Sequence, residues 1–186
     1  MSQFFPCIFV LLWSSAFITT LPIVLNSDPF SALAFRFFFV AVCFFIYSIV
    51  KKIKIKVNFS NLFNSFSTGI LFHGFYLGGV FFAIFVGLPT SIVALIVTLQ
   101  PILTNILAGY FLNEEVNIYQ WIGVVLGFTG AVIVIGFDIG SSLPVKGLIA
   151  AVIALIAITT STIWQKKISN DIPLPVNNMY QAIGCL

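Results

Sequence analysis

Charge is what this sequence has least of: Lys, Arg, Asp and Glu make up 7% of its 186 residues, where an ordinary soluble domain carries about 25%. A chain so poor in charge cannot wet its own surface, which argues against a soluble enzyme. Disorder is excluded as well, because the hydrophobic fraction is 60% and Phe alone occurs 22 times, whereas disordered segments are polar and charged. Histidine occurs once, and the three cysteines (Cys7, Cys43 and Cys185) lie far apart inside apolar stretches. They have no metal-ligand spacing and read as small buried hydrophobes. No basic tract is interleaved with aromatics, and there is no Gly-rich phosphate loop, His-Glu-x-x-His zinc helix or Gly-x-Ser-x-Gly elbow. Nucleic acid, metal, cofactor and hydrolase chemistry therefore lack the residues they need.

What is present is surface suited to lipid. A bilayer core about 30 Å thick takes about 20 helical residues to cross. Apolar stretches over 4–25, 30–50, 62–86, 90–112, 119–137 and 147–164 meet that length. A seventh, over 176–186, spans only about 17 Å at helical rise. The expectation is that the chain ends inside a span, as a truncated form would. Pro29 and Pro89 fall at the first turns of spans two and four, where a missing N–H costs nothing. Asn26-Ser27-Asp28 and Gly87-Leu88-Pro89 read as tight turns, so the neighbouring helices are antiparallel. The N-terminus has no basic flank of a cleavable signal, so span one is read as a retained helix. Lys51, Lys52, Lys54, Lys56, Lys166 and Lys167 lie on one side of the membrane and Lys146 on the other. That bias predicts a cytoplasmic N-terminus and cytoplasmic even-numbered loops.

Polar groups at membrane depth are costly unless satisfied or useful. Trp13 is central in span one, His73 in span three with Tyr76 one turn on, and Gln100-Pro101 in span four. Polar groups from three helices at one depth predict a midplane cavity, the usual place for a transporter's site. Each also has a plainer reading, as filler or as an interhelical hydrogen bond. Pro101 cannot donate to the carbonyl of Val97, nor Pro22 to that of Ile18, so each is expected to kink its helix. Arg36, about 9 Å into span two, either snorkels to the outer surface or lines an outer mouth for anionic or zwitterionic solutes. Trp121 and Trp164 sit at helix ends suited to belt anchoring; Thr159-Thr160-Ser161-Thr162 beside Trp164 gives the latter a pathway reading as well. Gly123, Gly127 and Gly130, and Gly74 with Gly78, form stripes that predict close helix packing.

The stretch from Gly87 to Pro101 resembles the fourth helix of the EamA-type transporters of the drug/metabolite transporter superfamily. Leu112-Asn113-Glu114-Glu115, followed by Gln120-Trp121-Ile122-Gly123, is similar to that family's Glu-x5-Gln-x2-Gly signature. Trp13-Ser14-Ser15-Ala16-Phe17 resembles its first-helix motif, and Pro29 with Arg36-Phe37 its Pro-x6-Arg-Phe. The likeness continues through Ile163-Trp164-Gln165-Lys166-Lys167 to Tyr180-Gln181; Asn113 departs from it where the family often has Gly.

The resemblance implies an all-α, polytopic membrane helix bundle of ten helices in two inverted five-helix repeats, exporting small metabolites such as amino acids by alternating access. On this reading residues 3–137 form the first repeat and 138–186 begin the inverted second one. The protein would then be a multi-pass transporter of the bacterial inner membrane, not an enzyme, and would use no cofactor. Its partners would be the lipid bilayer and a small solute, with a homodimer or the missing second repeat covering the cavity face. The expected solute pathway comprises Trp13, Arg36, His73, Tyr76, Gln100, Pro101 and Trp164, with Glu114 and Gln120 at the cytoplasmic mouth. Glu114 also suits a helix N-terminus on electrostatic grounds alone. The alternatives are an inactive or assembly-only fragment of such a carrier, and a small dimeric multidrug-type transporter. The latter has against it the absence of a carboxylate in 4–25.

Overall fold

The computed structural model of the chain describes residues 4–112, 117–135, 143–168 and 171–186, and among them no β-strand occurs. Helices α1 (Phe4–Asn26) and α2 (Pro29–Val50) are joined by the predicted tight turn. Asn26 Nδ2 and Ser27 Oγ donate to the carbonyls of Pro22 and Ile23 at 2.8 and 2.7 Å, adding a side-chain donor at each to the last turn of α1. Asp28 is the N-cap of α2, its carboxylate accepting from Ser31 N at 2.8 Å, and Pro29 stands in the first turn. The Ser31 hydrogen bonds hold the Asp28 carboxyl below its usual value. A depressed folded-state pKa gives a contribution present above the unfolded pKa and lost as pH falls through the folded one. Asp28→Ala is therefore expected to lower the melting temperature at pH 7. That deficit should shrink as wild type and variant are melted at progressively more acidic pH.

Span three is continuous over Phe59–Phe85 but changes character within the bilayer. It runs as α3 (Phe59–Gly69), a π-helical segment (Ile70–Leu77) and α4 (Gly78–Phe85). Asn58 caps its start by accepting from Asn61 N. Gly87 closes the following turn with φ of 92°, a conformation glycine adopts without steric cost. Span four is broken as Pro101 predicts: α5 (Thr90–Val97) ends, Thr98 and Leu99 form a turn, and α6 (Gln100–Leu112) begins. Pro22, in contrast, leaves α1 continuous. The remaining helices are α7 (Ile118–Ile135), α8 (Val145–Ile168) and α9 (Leu174–Ile183).

Five described helices are long and apolar enough to cross a membrane: Cys7–Asn26, Pro29–Val50, Phe59–Phe85, Thr90–Leu107 and Val145–Ile168. A further apolar helix, α7, carries the stretch Ile118–Gly130. The protein is an all-α, multi-pass membrane bundle, with large apolar side chains such as Phe5, Leu11, Phe35, Ile133 and Ile156 turned outward.

The core lies where α8 packs against the π segment, α4, α5 and α6, and where α9 packs against α2 and α3. Phe37, Phe81, Val93, Ala154 and Ile158 are buried there. A Cβ on Gly79 would stand 3.0 Å from the Ala150 carbonyl oxygen, and one on Gly147 2.9 Å from Leu88 Cβ. These glycines let α4 and its following turn approach α8 closely. Among the described residues the stripes expected to do this work do not: nothing lies within 4 Å of a Cβ built at Gly123, Gly127 or Gly130, and at Gly78 only Phe30 comes as near as 3.8 Å. Spacing along one helix shows a smooth face but not which neighbour uses it. The cysteines also depart from expectation, since Cys7 and Cys43 are exposed and Cys185 is half-buried. On a bundle whose outer surface is apolar, a small hydrophobe has no reason to seek the interior.

Candidate solute cavity

Spans one, two and three enclose a cavity of about 350 Å3. Trp13 enters from α1, Arg36 from α2, and His73 and Tyr76 from the π segment. The walls are otherwise aromatic or aliphatic, with Phe9, Phe17, Phe72 and Phe81 among them and Thr20 as a further hydroxyl. The Trp13 and Tyr76 rings lie nearly parallel, 6° apart in plane and 6.4 Å between centroids, within the range of favourable aromatic pairing. Phe72 meets both Tyr76 and His73 edge-on, at 5.5 and 5.2 Å. Phe37 backs His73 from the core at 4.8 Å.

Tyr76 is buried while Arg36 remains exposed at the cavity wall. The Nδ1 of His73 is buried and has no hydrogen-bond partner among the described residues. Leaving such a group unsatisfied costs about 1–3 kcal/mol; Ser48 Oγ and Thr104 Oγ1 are left in the same state elsewhere, but His73 is the one that borders the cavity. The backbone carrying His73 and Tyr76 is unusual in the same place: i→i+5 hydrogen bonding is rare and recurs at functional sites. Chemically the cavity offers a stacked aromatic surface, one guanidinium, one imidazole and one phenol, a set suited to a small solute with an apolar body and a polar or anionic group.

Of the residues expected in the pathway, Trp13, Arg36, His73 and Tyr76 come together here. Gln100 does not; its Nε2 donates to Thr162 Oγ1 of α8 at 3.3 Å. Pro101 is exposed in the first turn of α6, and Trp164 is half-buried on α8, neither lining this cavity. Gln120 is exposed and serves the start of α7: its Oε1 accepts from Asn117 N at 3.0 Å while Asn117 Oδ1 accepts from Tyr119 N at 3.1 Å. Together these bonds cap the helix start as a capping box does, with Tyr119 N in place of Gln120 N as the second donor. Glu114 lies outside the described residues.

A second polar cluster escaped the sequence reading. Gln181 Nε2 donates to Thr68 Oγ1 at 3.2 Å, and Gln181 Oε1 accepts from Gln165 Nε2 at 3.4 Å. Ser161 Oγ donates to the Thr68 carbonyl at 3.0 Å, and Ser65 Oγ to Asn177 Oδ1 at 2.7 Å. Thr68, Ser65, Ser161 and Gln181 are all at most 1% exposed. The cluster ties α9 and α8 to α3, and its members satisfy one another. It is a clasp rather than an opening. The run Thr159-Thr160-Ser161-Thr162, which gives Trp164 its pathway reading in the sequence, contributes Ser161 to this clasp instead; the signal available for the cluster is that Ser65, Thr68, Asn177 and Gln181 are polar groups in stretches read as spans.

A family model described as the EamA-like transporter family matches residues 2–136. The chain is 28% identical over 80 residues to the uncharacterized transporter YvbV of Bacillus subtilis (strain 168), a match covering 43% of this chain and 26% of that protein's length. No solved structure matches it significantly. With a multi-pass bundle, an aromatic and polar cavity within it and a family match across most of its length, the chain belongs to the EamA-like transporter family.

Proposed function

We propose that the protein carries small metabolites such as amino acids across the bacterial inner membrane, outward, and that the cavity between α1, α2 and the π segment is its solute site. The observation that carries this reading is the convergence of Trp13, Arg36, His73 and Tyr76 on one cavity. Arg36 supplies the positive charge for a carboxylate, the Trp13–Tyr76 pair holds the solute's apolar body, and His73 offers a hydrogen bond. Alternating access then consists of rocking one group of helices against another around this site. The turn at Thr98-Leu99 gives span four a joint for that motion, and the Gln100–Thr162 contact links the moving half of span four to α8. Gln100, Pro101 and Trp164 thus belong to the moving frame rather than to the solute's first contacts, with Glu114 and Gln120 at the cytoplasmic mouth. The lysine bias supports a cytoplasmic N-terminus.

The test is efflux of a panel of preloaded amino acids from expressing cells. Faster release than from empty-vector cells is expected for at least one of them, and His73→Ala should reduce it several-fold at unchanged membrane insertion. Efflux equal to the vector control across the panel overturns the reading, and loss of insertion in His73→Ala assigns that residue to packing instead.

A further inference from the structure

On the opposite flank of span three from the solute cavity, a groove of about 610 Å3 runs between the π segment with α4 and the first turns of α8. Its floor is smooth, made by Gly74, Gly78, Gly79 and Ala150, and its walls include Phe82 and Ile153. Its charged lining residue is Lys146, the second residue of α8. Phe30, the second residue of α2, and Phe82, close to the end of α4, lie at that same end of the bundle.

The groove descends along span three from Phe82 to Ile70, about 18 Å at α-helical rise. That is the depth of one leaflet, half of a hydrocarbon core about 30 Å thick. One cationic end at the interface, and an apolar remainder one leaflet long, is the pattern of an amphiphile. An apolar transmembrane helix seated in the groove would instead cover the Lys146 ammonium without a counter-charge, which is unfavourable. A phosphate at the headgroup level meets that ammonium directly, beside the N-terminus of α8, whose first-turn dipoles also favour an anion.

We propose that this groove holds one acyl chain of a membrane phospholipid whose phosphate pairs with Lys146. The site is separate from the solute cavity and does not depend on what is transported. The experiment is native mass spectrometry of the purified protein titrated with phosphatidylglycerol, and in parallel with a diacylglycerol of the same chains. One phosphatidylglycerol adduct is expected at low micromolar lipid, with diacylglycerol binding at least tenfold weaker. Lys146→Gln, at an exposed position, should weaken phosphatidylglycerol binding about tenfold while leaving the fold intact. Ile153→Trp, which adds bulk at a rim position already 45% exposed, should weaken binding of both lipids. Equal binding of the two lipids, an unchanged Lys146→Gln variant, or a protein dimer that excludes lipid would each overturn the proposal.

Discussion

Gly69→Ala is expected to destabilise the bundle by at least about 3 kcal/mol, seen as a large fall in melting temperature in detergent. A Cβ at this position would stand 2.6 Å from both the Cα and the carbonyl oxygen of Gln181, and 2.9 Å from its carbonyl carbon. These are backbone atoms, so no rotamer change relieves the clash, and α9 must lift from α3. Overpacking by itself typically costs about 1–3 kcal/mol. Lifting α9 also separates Gln181 from Thr68 and Gln165 and Asn177 from Ser65, and each orphaned buried group adds about 1–3 kcal/mol. Gly123→Ala is the control. No described residue lies within 4 Å of its Cβ, and alanine is a better helix former than glycine, so a gain of about 0.5–1 kcal/mol is expected. Equal melting temperatures for the two variants would contradict the packing of α9 described above.

The largest effect on transport is expected from Trp13→Ala, with a ten- to hundredfold loss of rate at normal insertion. Trp13 is half-buried and its inner face stacks on Tyr76. Removing the ring takes away an aromatic pairing worth about 0.5–1.5 kcal/mol and the apolar surface offered to a solute, worth about 1.5–3 kcal/mol for a large side chain. Trp13→Phe keeps a flat ring and should retain most of the activity. If alanine and phenylalanine were equally active, the aromatic wall would not be where the solute rests.

Much of this architecture can be read from punctuation. Asn26-Ser27-Asp28-Pro29 ends one span and caps the next because each residue supplies or spares a hydrogen bond at a helix terminus. Pro101 marks the break in span four for the same reason. Four cavity residues were identifiable because polar or amphipathic groups at membrane depth are unusual, and depth is what a sequence pattern measures. Gln100 shows the limit: it has the right depth, but its side chain points toward Thr162 on α8. Angular position about a helix axis follows from tertiary packing, not from distance along the chain.

The clasp around Gln181 was illegible for a related reason. Its partners Thr68 and Ser161 are separated from one another by much of the chain, and isolated Ser, Thr and Gln in apolar runs look alike until the helices are brought together. The π segment leaves no trace in composition. Gly74 within it and Gly78 just after it read equally well as a packing stripe.

Cysteine accessibility in the native membrane tests the central claim most directly. In a background with Cys7, Cys43 and Cys185 replaced by Ser, Trp13→Cys, His73→Cys and Tyr76→Cys should each react with a small membrane-impermeant thiol reagent, and the solute that the efflux assay identifies should slow the reaction. Phe45→Cys, on an outward face of α2, should react only with a lipid-soluble reagent. If the three inner positions behaved like position 45 and the solute made no difference, these side chains would border acyl chains rather than a transport pathway.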